Sequence, residues 1–174
     1  RLSSLHLINK IIMMQSGRIL VVDDNKNALS ALKMLLQIDY EMVVTLANPN
    51  LIWTELDKND FDIVLLDMNF SAGINTGNEG LYWLGEIRKK SPSTEVVMIT
   101  AYGDVELAVK ALKNGAADFV LKPWENEKLL ATLQAAIKLR RSNVQVAELK
   151  QRELIIKKGL NQEQRYSLGS SPGI

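Results

Sequence analysis

The chain has 174 residues, of which 47% are hydrophobic and 24% charged, with a formal net charge of +1. These are ordinary values for a globular protein, so wholesale disorder is excluded, and bulk charge points neither to nucleic acid nor to a membrane surface. Cysteine is absent, which excludes disulfides, thiolate metal sites and a thiol nucleophile, and no apolar run approaches the ~20 residues that cross a bilayer.

Residues 1–16 read as an N-terminal extension, native or added. Leu5, Leu7, Ile8, Ile11, Ile12, Met13 and Met14 are apolar, but Asn9 and Lys10 interrupt them and no small-residue cleavage site follows, so this is not a signal peptide. His6, the only histidine, lies here and carries no role. The first strand is the apolar run Arg18–Val22, ending in Asp23-Asp24. A helical stripe at 28, 29, 32, 35 and 36 follows within Lys26–Gln37, with Asn25 or Asp24 as its cap. The β-branched run Met42–Leu46 is a strand, and Pro49 suits the first turn of a helix reaching Lys58. Phe61–Leu66 is a strand ending at Asp67, followed by a loop from Asn69 to Gly77. Glu79–Lys89 is helical, with Leu81, Leu84 and Ile87 on one face; Pro92 breaks it, and Glu95–Ile99 is a strand ending at Thr100. Val105–Asn114 is a helix closed by Gly115. Asp118–Leu121 is a strand ending at Lys122-Pro123, and a last helix starts near Glu125. Trp53, Trp83 and Trp124 read as core or helix-packing residues.

Five β-then-α repeats predict a parallel sheet with helices on both faces. Ligands of such sheets bind beyond the carboxyl ends of the strands. Four of those ends are polar, at Asp23/Asp24, Asp67, Thr100 and Lys122, whereas the helix-to-strand ends show no comparable set in the sequence. Three carboxylates brought together repel; at ~4 Å and an effective dielectric of ~20 one like-charge pair costs about 4 kcal/mol. Lys122 offsets part of this and a divalent cation would offset more. Mg²⁺ suits carboxylate and carbonyl oxygens, with Asp24, Asp67 and the backbone carbonyl of Asn69 as ligands. An Asp beside Mg²⁺, a Lys and a hydroxyl is a phosphoryl-transfer arrangement, with Asp67 as nucleophile and Thr100 and Lys122 on the phosphoryl oxygens. No GxxxxGK[ST] loop is present, so the donor is another protein or a small phosphodonor rather than ATP bound here. Taken singly, each residue has a plainer role, as a cap, a turn residue or a solvated charge; their joint placement at four strand ends argues for function.

Val21-Val-Asp-Asp24, Leu65-Leu-Asp67-Met-Asn69, Ile99-Thr100-Ala101-Tyr102-Gly103 and Phe119-Val-Leu-Lys122-Pro123 resemble the four motifs of a response-regulator receiver domain. The resemblance covers residues 17–140. The interval of 33 residues from Asp67 to Thr100 is long for the family, because the loop from Asn69 to Asn78 is enlarged; that loop is either a flexible insertion or a shield for the site. The resemblance implies a flavodoxin-like (βα)5 three-layer sandwich with strand order 2-1-3-4-5, and a cis Lys122–Pro123 bond. It also implies phosphorylation of Asp67 by a sensor histidine kinase, Mg²⁺ as cofactor with Asp23 reaching it through water, and a switch in which Thr100 and Phe119 move.

From Glu125 to about Gln164 helix formers dominate, and residues 125–174 hold nine Lys/Arg against five Asp/Glu. Leu130, Leu133 and Ile137 continue the last helix of the domain. Val146, Leu149, Ile156 and Leu160 follow 3-4 spacing, interrupted by Glu153, so residues 141–167 are expected to form a helical linker that pairs with a second copy as a homodimeric coiled coil; the plainer reading is a solvated single helix. Lys138, Arg140 and Arg141 read as a solvated face. The segment 168–174 resembles the start of the ATPase domain of NtrC-class sigma-54-dependent transcriptional activators. The chain is then the regulatory part of a cytoplasmic activator that meets DNA and sigma-54 RNA polymerase only through other domains, with no membrane contact. Two other readings stand beside this one. The first is a phosphatase of the haloacid dehalogenase type, disfavoured because Asn69 replaces its second Asp; the second is an interaction module that works without phosphorylation.

Overall fold

Strand β1 (Arg18–Val22) lies at the centre of the chain's early topology, with helix α1 (Lys26–Leu36) after it. Then come β2 (Met42–Leu46), a 3-10 turn (Pro49–Leu51) running into α2 (Ile52–Lys58), β3 (Ile63–Asp67), α3 (Asn78–Lys90), β4 (Glu95–Ala101), α4 (Val105–Lys113), β5 (Asp118–Lys122) and α5 (Asn126–Gly169). The computed structural model describes residues 3–8, 17–70 and 78–169. The chain divides into two units between Arg140 and Arg141.

In the first unit all strand pairs are parallel and the order is β2-β1-β3-β4-β5, the flavodoxin-like order the sequence implies. The helices segregate by face. Leu29, Leu32 and Leu36 of α1 and Leu129, Leu133, Ala136 and Ile137 of α5 pack on Ile19, Val21, Ile63, Leu65, Val97 and Ile99. Ile52 of α2, Trp83, Leu84 and Ile87 of α3 and Ala111 of α4 pack on Leu20, Val22, Val64, Leu66, Val96 and Met98. Alternate residues of each central strand thus feed opposite cores, which is why these strands carry almost no polar residue before their ends. In α5 it is Leu129 rather than Leu130 that is fully buried; Leu130 is half-buried. Trp83 is buried, with Trp53 and Trp124 packed at the core margins.

Local chemistry sets the element ends. Asn25, not Asp24, caps α1: its Oδ1 accepts the N–H groups of Asn27 at 3.0 Å and Ala28 at 3.1 Å. Gly115 closes α4 with φ +102°, the left-handed conformation expected of it. β4 runs on to Ala101 because Ala101 still pairs with Lys122. The Lys122–Pro123 bond is cis.

The helix-to-strand rim is not the empty edge the sequence suggested. Asp62 accepts the Arg18 N–H at 2.8 Å and the Arg140 guanidinium at 2.8 Å. Glu95, itself buried, faces Arg88 at 3.8 Å. The reading of Arg140 as part of a solvated face is therefore wrong: its side chain is 14% exposed and paired. Its partners, Asp60 and Asp62, precede it by 80 and 78 positions, so no local pattern signals the pairing.

In the second unit the helix continues to Gly169, two residues past the linker boundary of 167 expected from sequence. Val146, Leu149, Ile156 and Leu160 are exposed along it. Ser170–Ile174 and the loop 71–77 lie outside the described residues, as does most of the stretch 1–16; His6 is exposed.

Gly80 fixes where α3 begins. Its N–H donates to the Met68 carbonyl at 3.1 Å, and a Cβ there would meet that oxygen at 2.6 Å and the Met68 Cα at 2.7 Å. Gly85, one turn on in the same helix, has nothing within 4 Å of such a Cβ. Gly80→Ala is expected to destabilise by about 1–3 kcal/mol, and Gly85→Ala to be neutral or to stabilise by up to about 1 kcal/mol. Urea unfolding of both variants measures this, and equal effects at the two glycines would refute the close approach.

Candidate functional site

The parallel register brings the polar strand ends together. Val22 pairs with Leu66, so one step further along the same register sets Asp23 beside Asp67. Asp67 pairs in turn with Ile99, which places Thr100 one residue beyond it on the next strand. Ala101 of that strand pairs with Lys122. Four segments distant in sequence thus end at one rim, and Asp23, Asp67 and Thr100 are buried there.

One oxygen from each of Asp23, Asp24 and Asp67 lies within 4.8 Å of the others. The Lys122 ammonium donates to Asp23 Oδ2 at 2.6 Å and stands 3.4 Å from Asp67 Oδ1. The other oxygen of Asp23 accepts the Asn25 N–H at 2.9 Å, which ties the acidic pair to the start of α1. Lys122 therefore leans on Asp23 first and on Asp67 second. Asp24 is exposed and faces the open side of the cluster.

The charges are unbalanced. Burial, then the Asp23 charge, pushes the Asp67 carboxyl up to about 7, against the pull of Lys122 and of a hydrogen bond from the Asn69 backbone. Burial and Asp23 also raise Asp24, with Glu79 adding a smaller repulsion. For Lys122, burial pulls its pKa down, but its bond to Asp23 and the charges of Asp67 and Asp23 prevail and raise it. A set of three hard carboxylate oxygens with one ammonium fits a divalent cation of the Mg²⁺ type.

The remaining sequence candidates fall in different places. Thr100 is fully buried and its Oγ1 has no hydrogen-bond partner, so it is a donor left over at the rim. Asn69 follows Asp67 by two residues, and its backbone supports the Asp67 carboxylate. Phe119 is half-buried against the second core, among residues such as Met98 and Ala111, and is not part of the polar cluster. Glu79 was read from sequence only as the start of a helix; an acid in the first turn of the helix following the Asp67 strand was the signal available for its charge at Asp24.

The model of the response regulator receiver domain matches residues 19–134. The chain belongs to the response regulator receiver family. That family assignment sets aside the phosphatase reading. The transcriptional regulatory protein ZraR of Klebsiella oxytoca is 38% identical over 120 residues, covering 68% of this chain and 26% of that protein. The chain thus spans about a quarter of that relative's length. A receiver domain of a two-component system response regulator from Bacteroides fragilis is 47% identical, with TM-score 0.65 over 71% of this chain and 98% of that one. NtrX from Brucella abortus, solved with ADP, is 27% identical, with TM-score 0.71 over 80% of this chain and 30% of that one. Among the described residues no helix is long and apolar enough to cross a membrane.

The raised Asp67 carboxyl has a stability consequence. Between the ordinary value of 3.8 and about 7 the folded chain keeps a proton that the unfolded chain has lost. Stability conferred by that proton is full below the lower value and is lost as pH rises through the upper one. In EDTA, Asp67→Asn is expected to gain on wild type by about 1–3 kcal/mol between pH 5 and pH 8. Urea titrations at the two pH values read it directly; a constant gap between the proteins would mean that Asp67 bears no such burden.

Proposed function

We propose that this receiver domain is switched by phosphorylation of Asp67. The observation that carries the reading is the cluster at the rim: Asp23, Asp24 and Asp67 within 4.8 Å, with the Lys122 ammonium 3.4 Å from Asp67. A carboxylate oxygen of Asp67 forms the new bond to phosphorus while the bond from phosphorus to its donor breaks. The donor is a phosphohistidine of a sensor histidine kinase, whose imidazole leaves, or acetyl phosphate, whose acetate leaves. Asp24, Asp67 and the Asn69 carbonyl would hold a Mg²⁺ ion, with Asp23 acting through water, and the ion would supply positive charge to the phosphoryl oxygens. Lys122 shifts from its Asp23 bond toward the new phosphoryl group, which takes over the charge it answers.

Thr100 and Phe119 form the switch. Thr100 Oγ1, buried and unpartnered, gains a phosphoryl oxygen to donate to. Phe119, half-buried on the neighbouring strand, follows by turning inward. The face formed by α4, β5 and α5 then changes. Beyond the domain 17–140, the helical linker 141–167 pairs with a second copy through Val146, Leu149, Ile156 and Leu160, all exposed here. Residues 168–174 open an ATPase domain of an NtrC-class, sigma-54-dependent activator, which acts in the cytoplasm and reaches DNA and RNA polymerase through that part of the protein. The similarity to a transcriptional regulatory protein supports this wider context.

Intact-mass measurement after acetyl phosphate and Mg²⁺ is expected to show one added phosphoryl group on wild type and none on Asp67→Asn. Millimolar Mg²⁺ is expected to raise the Tm of wild type, by preferential binding to the folded cluster, and to raise that of Asp24→Asn less. Labelling that persists in Asp67→Asn would move the acceptor elsewhere, and a Tm indifferent to Mg²⁺ would remove the metal.

A further inference from the structure

The opposite rim of the sheet carries a second set of long-range polar contacts. Arg140 Nη1 donates to Asp62 Oδ1 at 2.8 Å, and Nη2 donates to both oxygens of Asp60 at 3.1 Å. Asp62 is 8% exposed and its other oxygen accepts the Arg18 N–H at 2.8 Å. Arg18 in turn reaches Asn59 Oδ1 at 3.3 Å. One guanidinium at the end of the first unit thus holds two carboxylates just ahead of β3, and one of them is itself bound to β1.

The position of this contact along α5 is informative. Leu129, Leu133, Ala136 and Ile137 are the buried residues of the helix, and none lies beyond Ile137. From Arg141 onward nearly every side chain is exposed, so the chain there has little burial of its own to hold it helical. A helix without packing frays, and fraying that ran back along α5 would strip Ile137 and Ala136 from the core. Arg140 stands one turn after the last of these core residues. A planar guanidinium that meets two carboxylates at once fixes the helix direction as well as its distance, which a single point charge would not.

We propose that Arg140, clasped by Asp60 and Asp62, is a fray stop that insulates the receiver unit from opening of the helix that follows it. The clasp sits at the end of β3 opposite Asp67, so it works without disturbing the phosphorylation chemistry. It defines the last receiver residue by a contact rather than by a break in the helix.

Amide hydrogen exchange on the full chain tests this, at one fixed protein concentration, on wild type, Asp60→Ala, Arg140→Gln and the double variant. Asp60 is well exposed, so its variant keeps the fold. Each single variant is expected to speed exchange at residues 137–144 by at least about fivefold, with amides of β1 and β3 unchanged. The double variant is expected to be no faster than Arg140→Gln, since both changes break one contact. Unchanged exchange at 137–144 would overturn the proposal, and so would equal acceleration throughout the sheet, which signals global loss of stability. Acetyl phosphate labelling of the same samples keeps the two readings apart: the clasp variants are expected to label like wild type, and failure of wild type to label would strike the phosphorylation switch while leaving the clasp intact.

Discussion

Like charge held together against its own repulsion is the constraint around which this domain is arranged. Asp23, Asp24 and Asp67 share one small volume with a single ammonium, and that ammonium spends its shortest contact on Asp23. Of the other two, Asp67 is buried and only half-answered, and its carboxyl rises to about 7. No flexible loop would keep such a cluster assembled, because the groups would move apart. It persists because each carboxylate sits at the end of, or directly after, a strand buried on both faces, and the strands cannot slide without moving every apolar side chain across its core.

The rest of the fold supplies that rigidity. β1 and β3 lie side by side at the middle of the sheet, with helices on both faces. Asn25, whose N–H is bound by Asp23, also caps α1, so the acidic pair and the first helix are fixed as one piece. On the other side, α3 is seated on Met68 through Gly80, directly after Asp67. The two segments entering the rim from β1 and β3 are thus each secured within a few residues of their carboxylates. Thr100 has a buried hydroxyl oxygen with no hydrogen-bond partner, so it is a group that gains from a new acceptor.

The sequence made much of this legible for a specific reason. A parallel strand buried on both faces has to be apolar until it ends, so the first polar residue after each run marks the rim, and Asp23, Asp67, Thr100 and Lys122 stood out against Val, Leu and Ile. The four motifs at those ends carried the resemblance to the receiver family, and that resemblance implied the strand order found here. Pairing at the other rim was not legible. Asp60 and Asp62 stand in a turn rich in Asp and Asn, where acids are ordinary, and Arg140 lies in a basic cluster on a helix, where solvated charge is the usual outcome. Only the fold brings them together, across nearly eighty residues. Phe119 shows the reverse case: sequence placed it correctly on β5, but a half-buried aromatic carries no mark that distinguishes packing from switching.

The two rims differ in how their charges are matched, and that difference separates stability from response. At the helix-to-strand rim the acids meet cations: Asp62 and Asp60 with Arg140, Glu95 with Arg88. A contact satisfied within the chain leaves little for a ligand to improve, so this rim serves to hold strands and helix together. At the strand-to-helix rim three acids share one lysine, an imbalance that a proton on Asp67 or a bound cation relieves. A site left unsatisfied in the resting fold is one whose energy changes most when it is occupied. β3 joins the two, with paired acids at its start and a surplus of acid at its end, so the strand that ends in Asp67 is anchored at the rim opposite the one where its charge is unmatched.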